Sequence, residues 1–229
     1  MLKKLLSVFL LFGVSCIALA TESKNYRHIV VREDRSFSSQ VVMQHAIYEL
    51  SGVYDLKGET INIPEDCVLK FNGGLIKNGA LKGRNTILEA SLYKVFDGVS
   101  FTGSWSADCI KPEWFGAKGD CKTDDTKAIN EALNSGIKAG EELLIPVQLR
   151  PAEYIISNEV SLPGYGCLQG IATSAQAGYL SKSQSTLVYR GRGECVLRIT
   201  NSYTSIRNIC IRIDNKLPRL HSSSSEGAD

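Results

Sequence analysis

The stretch from Trp114 to Leu133, Trp-Phe-Gly-Ala-Lys-Gly-Asp-Cys-Lys-Thr-Asp-Asp-Thr-Lys-Ala-Ile-Asn-Glu-Ala-Leu, constrains the fold more tightly than any other part of the chain. Gly116 and Gly119 mark a turn in which a positive φ costs little. Thr123, Asp124 and Asp125 then offer short side-chain oxygens to amides left free at a helix start, and carboxylates there suit the positive end of the helix dipole. Behind them Ala128, Ile129, Ala132 and Leu133 gather into an arc of roughly 140°, at about 100° per residue. The pattern predicts one short helix over 124–135, apolar on one face and lying on other structure, with Gly136 and Gly140 as its stop.

Everything around that helix signals β structure. Between 53 and 105 short apolar pieces recur, among them Ile61-Asn62-Ile63, Val68-Leu69-Lys70-Phe71, Leu75-Ile76, Ala80-Leu81, Thr86-Ile87-Leu88 and Val99-Ser100-Phe101. Asn72-Gly73-Gly74, Lys77-Asn78-Gly79 and Lys82-Gly83-Arg84-Asn85 punctuate them as turns. Strands this short suit the walls of a solenoid with coils stacked in parallel; a set of β-hairpins is the alternative, because Asn-Gly is also a hairpin signal. Strands resume at 142–147, 154–156, 160–162, 167–170, 185–189, 195–199 and 206–213, and Ser205 to Ile213 alternates apolar with polar as a coil wall requires. Upstream, His28-Ile29-Val30-Val31 and Val41 to Tyr48 read as early strands. Ala172 to Ser185 reads as a loop ejected from one coil.

The run Trp114, Phe115, Gly116, Ala117, Gly119, Asp120, Thr123, Asp124, Asp125, Thr126, Ala128, Ile129 resembles the opening motif of the pectate-lyase superfamily. That family comprises right-handed parallel β-helix proteins, including polygalacturonases, rhamnogalacturonases and phage tailspikes, and usually carries glycine where this chain has Cys121. Leu143 to Pro146 and Pro151 to Ile156 resemble the strand and the Pro-x-Gly-x-Tyr element that follow the motif, so a looser likeness continues to about residue 213. The resemblance implies an all-β, right-handed parallel β-helix with one short capping helix. It also implies action on acidic polysaccharide, by β-elimination with an arginine or lysine base and calcium held by acidic side chains, or by hydrolysis with paired carboxylates. In the family those groups sit on coils downstream of the motif. No catalytic position therefore carries over, and calcium enters by resemblance alone, with no other cofactor implied.

The ends of the chain read differently. Lys3 and Lys4, the apolar run Leu5 to Phe12 and the small residues of Ala18-Leu19-Ala20 predict a signal peptide over 1–20, cleaved between Ala20 and Thr21. Lipid modification at Cys16 is the rival, and the apolar run is short for a bilayer span. Export to the periplasm, cell surface or medium is expected. A β-rich region over 21–112 and the β-helix proper over 113–214 follow, and 215–229 has the composition of a disordered tail. Because the wall pattern stops without an amphipathic cap, the solenoid is expected to be incomplete there, with an edge open to self-association or a downstream segment.

A net charge of +2 gives no reason to invoke nucleic acid. Without Cys16 six of the seven cysteines remain, Cys67, Cys109, Cys121, Cys167, Cys195 and Cys210, with fifteen possible full pairings. Cys195 and Cys210 read as small apolar side chains stacked inside coils, and Cys109 with Cys121 as the pair to brace the turn before the helix. No spacing matches a zinc site, His28, His45 and His221 have no cysteine at ligand distance, and His45 reads as structural. Asp120, Asp124 and Asp125 read as turn and cap residues rather than an acid/base or calcium site; Arg207, Arg212 and Asp214 read as a solvated face. The functional expectation is an exported β-helix resembling the N-terminal part of a polysaccharide lyase or glycosidase without its catalytic coils. The alternative is a non-catalytic carbohydrate-binding or structural module, like a tailspike or adhesin shaft.

Overall fold

The computed structural model describes residues 26–139, 143–171, 184–193, 195–199 and 203–214. The signal segment with its Ala20/Thr21 junction, Gly140, residues 172–183 of the ejected loop, and the 215–229 tail with His221 lie outside the described residues.

The chain is mostly β, and its coils stack through parallel sheets into a β-solenoid of about eight turns. Along one wall Ile47 pairs with Val68 and Val68 with Ile87, each in parallel register. A second wall sets Val53–Asp55 beside Leu75–Glu89, and a third sets Thr60–Asn62 beside the same long strand further on. Beyond the Ile110–Val147 bridge the walls are Val147–Gln148 with Cys167–Gln169 and Ser205–Arg207, and Asp120–Asp124 with Glu153–Ile156, Thr186–Tyr189 and Cys210–Ile213. The hairpin alternative fails: among the described residues the one antiparallel pairing is the short Lys138–Ala139 with Leu143–Leu144.

The turn signals upstream do not break strands. Leu75–Glu89 is a single strand that runs through Asn78 and Asn85, both in the left-handed region at φ 55. These are corners, where the chain changes direction without leaving the ladder. Asparagine and aspartate tolerate this conformation because a short polar side chain bonds locally. His45, Asp66 and Asn85, all left-handed, stack as one column: His45 N donates to Glu65 O, Asp66 N to Arg84 O, and Asn85 Nδ2 to Asp66 Oδ1 at 2.5 Å. His45 Nε2 lies 3.3 Å from Asp66 Oδ2. His45 is thus structural, but at a corner paired with Asp66 rather than isolated in a strand.

Inside the coils an aromatic file links Phe71 to Phe96, Phe96 to Phe101 and Phe115, and Phe101 to Trp105, with ring centroids 4.8 to 5.7 Å apart. One apolar core therefore runs across position 112, on both sides of which the sequence reads differently. At the N-terminal end a four-residue helix, α1 (Phe37–Gln40), is capped by Ser36 and lays Phe37 against Tyr54, 5.5 Å between centroids. The sequence reading missed it and placed a strand from Val41, whereas the strand begins at Ala46. Four residues are too few for a 3.6-residue period to show.

The second helix, α2, spans Thr126–Leu133, shorter than 124–135 because Asp120–Asp124 forms a strand. Its buried residues include Ala128, Ile129, Ala132 and Leu133, the expected face. It lies inside the stack, with core on both sides, rather than at an end. It takes the place a strand would have beside Val160–Leu162. The Asn130 side chain supplies the missing ladder bonds, donating to Glu159 O and accepting from Ser161 N, both at 2.9 Å.

In the last described coil Ile199, Ile206, Ile211 and Ile213 stand in register with the buried Leu162, Leu168, Leu187 and Tyr189, yet all four are exposed. The six described cysteines are all free, so Cys109 and Cys121 are not bridged. The inward thiol is Cys67, fully buried in the core. Cys210 lies in the row of Thr186 and Glu153, outside the core, and Cys195 is half-buried with its thiol on Leu197 O, so neither is stacked inside a coil.

Candidate functional site

The motif residues converge on a buried polar knot. A 3-10 turn over Pro112–Phe115 ends at Gly116, whose φ of 105 needs glycine. Gly119 is left-handed too, and a Cβ there would stand 3.0 Å from Ala152 Cβ and 3.1 Å from the Tyr154 ring. The loop between them wraps two buried carboxylates. Asp125, 1% exposed, accepts from Lys118 N at 2.7 Å and Gly119 N at 3.0 Å. Burial pushes its carboxyl above the usual range against the pull of those two amides. Glu113, 3% exposed, accepts through Oε1 from Arg150 Nε at 2.9 Å and from the Tyr154 hydroxyl at 2.6 Å. Arg150 also donates to Lys118 O, closing the loop from outside. The Tyr154 hydroxyl is pushed far up by burial, with the Glu113 carboxylate adding to it.

Asp125 therefore does not cap its own helix, although it stands at the N-cap position; its side chain turns back to the loop. Asp124 does the capping, accepting from Thr126 N at 2.9 Å, from Thr126 Oγ1 and from Ser157 Oγ. Burial raises its carboxyl, but the bonds from Ser157 and Thr126 outweigh that and leave it below the usual range. Asp120 folds a local turn, accepting from Thr123 N at 2.7 Å, Lys122 N at 2.9 Å and Thr123 Oγ1 at 3.0 Å, which lowers it to about 2. At the centre of that turn Cys121 has φ 59, so the left-handed corner is kept without the family's glycine.

These oxygens are committed to the chain's own amides and hydroxyls, and the described residues contain no group of three or more His, Cys, Asp or Glu able to hold an ion. The motif carboxylates do not fit calcium. Of the late charges read as a solvated face, Arg212 forks onto Glu153 at 2.7 and 3.2 Å and Asp214 pairs with Arg190 at 3.0 Å.

The knot holds Trp114 in place, and beside Trp114 lies an open groove of about 520 Å³. The indole is 2% exposed, bonded through Nε1 to Ser91 O at 3.1 Å, so it forms floor rather than a stacking platform. Lys111 Nζ sits 5.7 Å from its ring centroid. On the walls, Lys70 and Glu89 are register neighbours on adjacent strands, and Asp108 and Gln148 line the same groove from the two coils that follow. Among the described residues the side chains of Lys70, Glu89, Asp108 and Gln148 have neither hydrogen-bond nor ion-pair partner, whereas Asp120, Asp124 and Asp125 have both carboxylate oxygens engaged. The sequence reading singled out none of these four, because coil stacking alone brings them together. Comparison with family models, characterised proteins and solved structures returned no match.

Proposed function

We propose that the chain is an exported polysaccharide-recognition module, related to the pectate-lyase superfamily, that binds a glycan along the groove beside Trp114. The observation that carries the reading is the set of uncommitted polar side chains, Lys70, Glu89, Asp108 and Gln148, over an apolar floor. Such a mixture of donors and acceptors matches the hydroxyls of a sugar chain, and the two lysines of the groove, Lys70 and Lys111, accommodate uronate carboxylates. Export rests on the three-part segment over 1–20 and is checked by N-terminal sequencing of the secreted protein, where a lipid-modified Cys16 would replace cleavage after Ala20.

Affinity electrophoresis through polygalacturonate and through neutral polysaccharides tests the binding. Wild type should be retarded and Lys70→Ala with Asp108→Ala should not; equal retardation would remove the groove from the reading. A second reading, cleavage, rests on Glu89 and Asp108 sharing one groove, since hydrolysis uses paired carboxylates. Both are exposed, and a general acid works best when desolvated, which favours binding over turnover. Release of reducing ends or unsaturated uronides by the wild-type chain, lost in Glu89→Gln, would decide for cleavage.

A further inference from the structure

Two tyrosines of successive coils break the pattern of the corners. Tyr165 and Tyr203 are left-handed at φ 61 and 63, a conformation that a bulky side chain enters rarely. Both are exposed, by 59% and 79%, and their rings lie stacked at 5.3 Å between centroids with 9° between planes. Neither ring packs into the core. The turn carrying Tyr165 is set by Gly166 N on Pro163 O, and Thr204 Oγ1 reaches the same carbonyl, so the two corners are tied to one another.

Next to Tyr165 is a notch of about 240 Å³, lined by Leu133, Gly136, Leu144 and Pro163 with Asn134 and Lys138 at its rim. Asn134 uses its amide nitrogen on Asn130 O at 2.8 Å, which leaves its side-chain oxygen as an acceptor. Lys138 has no ion-pair partner among the described residues. The space is below the volume of a drug-sized pocket, so it suits one ring rather than an extended ligand.

We propose that this notch is a second sugar subsite, in which one pyranose ring lies with its C–H face against Tyr165 and its oxygens towards Asn134 and Lys138. An aromatic protein side chain would fill the same space but would bring no acceptor to the Lys138 ammonium at its rim, which is costly to cover. A pyranose brings oxygens to that rim. Tyr203, stacked behind Tyr165, holds the platform ring flat. The inference rests on the glycan reading above, but on different residues at a different corner of the coil.

The test uses the whole exported chain with tetragalacturonate and cellotetraose as probes, followed by saturation-transfer NMR and titration calorimetry. Tyr165→Ala should weaken binding of at least one probe about tenfold, consistent with a lost aromatic contact. Tyr165→Phe should retain wild-type affinity, because the stacking face is kept. Lys138→Ala should weaken tetragalacturonate alone if the rim takes a carboxylate, and both probes if it takes hydroxyls. Should Tyr165→Ala disturb the fold by circular dichroism, Tyr203→Ala, on the more exposed ring, replaces it with the same expected direction. Unchanged affinity in the tyrosine variants overturns the subsite. If Lys70→Ala then still weakens binding, the groove stands without it; if the tyrosine variants lose binding and Lys70→Ala does not, the subsite stands and the groove falls. A wild type that binds neither probe overturns the subsite outright.

Discussion

The coils between Ala46 and Ser106 and those between Ile110 and Asp214 turn their corners by different means. Upstream several corners are single left-handed polar residues whose side chains bond to the coil above or below, as in the His45–Asp66–Asn85 column and in Asn78 with Asp55, and glycines take others. The solution is local and repeats. Downstream Cys121 and Asn208 are still such single-residue corners, but a 3-10 turn, a helix and bulky left-handed tyrosines join them, and a largely buried network of Glu113, Arg150, Tyr154 and Asp125 links parts far apart in the chain. The difference teaches that a solenoid can be stabilised coil by coil or by one shared knot, and that the second region has a single point of failure.

The sharpest way to break this contrast is at Arg150. Arg150→Ala leaves Glu113, whose side chain is 4% exposed, without its charged partner, and removal of one partner from a buried pair costs about 3 kcal/mol, reduced here because Arg150 is itself 37% exposed. Urea unfolding should show a loss of about 2 kcal/mol, against about 0.5 kcal/mol or less for Arg84→Ala, whose pair with Glu65 is exposed on both sides. Equal losses would erase the distinction between the two regions.

A smaller effect is expected in the upstream column. Asp66→Ala removes the acceptor of Asn85 and the partner of His45 but leaves the ladder, for a loss of about 1 kcal/mol. A loss larger than that of Arg150→Ala would show that the upstream corners are not locally sufficient.

Opposite in sign is Cys121→Gly. Cys121 sits at φ 59, where a side chain carries a steric cost of about 1 kcal/mol that glycine avoids, so the variant should unfold at higher urea by a shift worth up to about 1 kcal/mol. Destabilisation would mean that the thiol's contact with Glu153 matters more than the corner.

The smallest effect is on the pH profile. Asp120, lowered to about 2 by the amides of Thr123 and Lys122, contributes stability that is present above the ordinary aspartate value and lost as pH falls through about 2. Asp125, raised by burial, has the other sign: its contribution is full below the ordinary value and lost as pH rises through its elevated one. Asp120→Asn should flatten the acid limb of the stability curve, and Asp125→Asn should lessen the decline on raising pH. Tilts in the same direction would refute the assignment of the two carboxyls.

What the sequence made legible follows the same division. The face of α2 could be read because its apolar period is local, and short strands between Asn and Gly turns pointed to a solenoid over a set of hairpins. That Asn78 and Asn85 keep the ladder intact could not be read, since a turn residue announces a change of direction and not whether pairing survives it. Glu113 meets Arg150 and Tyr154 across 37 and 41 residues, a distance set by how many residues each coil takes. The groove lay hidden for the same reason: Lys70, Glu89 and Asp108 become neighbours only after three coils are stacked. Asp125 was misassigned because its position names it a cap while the loop before it competes for the same oxygens.

The one-residue corners impose an arithmetic on how such a chain can change length. Adding a single residue between Asn78 and Leu81 would exchange the inward and outward rows for the rest of that wall, so Leu81 would face water and Lys82 the core. Growth by whole coils keeps the rows aligned. Elsewhere only a detour that leaves and rejoins at one point is neutral, and such a point exists: Ser185 N donates to Ile171 O at 3.0 Å and Ile171 N to Ser185 Oγ at 2.8 Å, so the backbone closes on itself across the intervening stretch. Foreign sequence of any length spliced between those two residues would hang from a joint the coils already hold shut, which makes it the natural place to graft a tag, a reporter or a second binding domain.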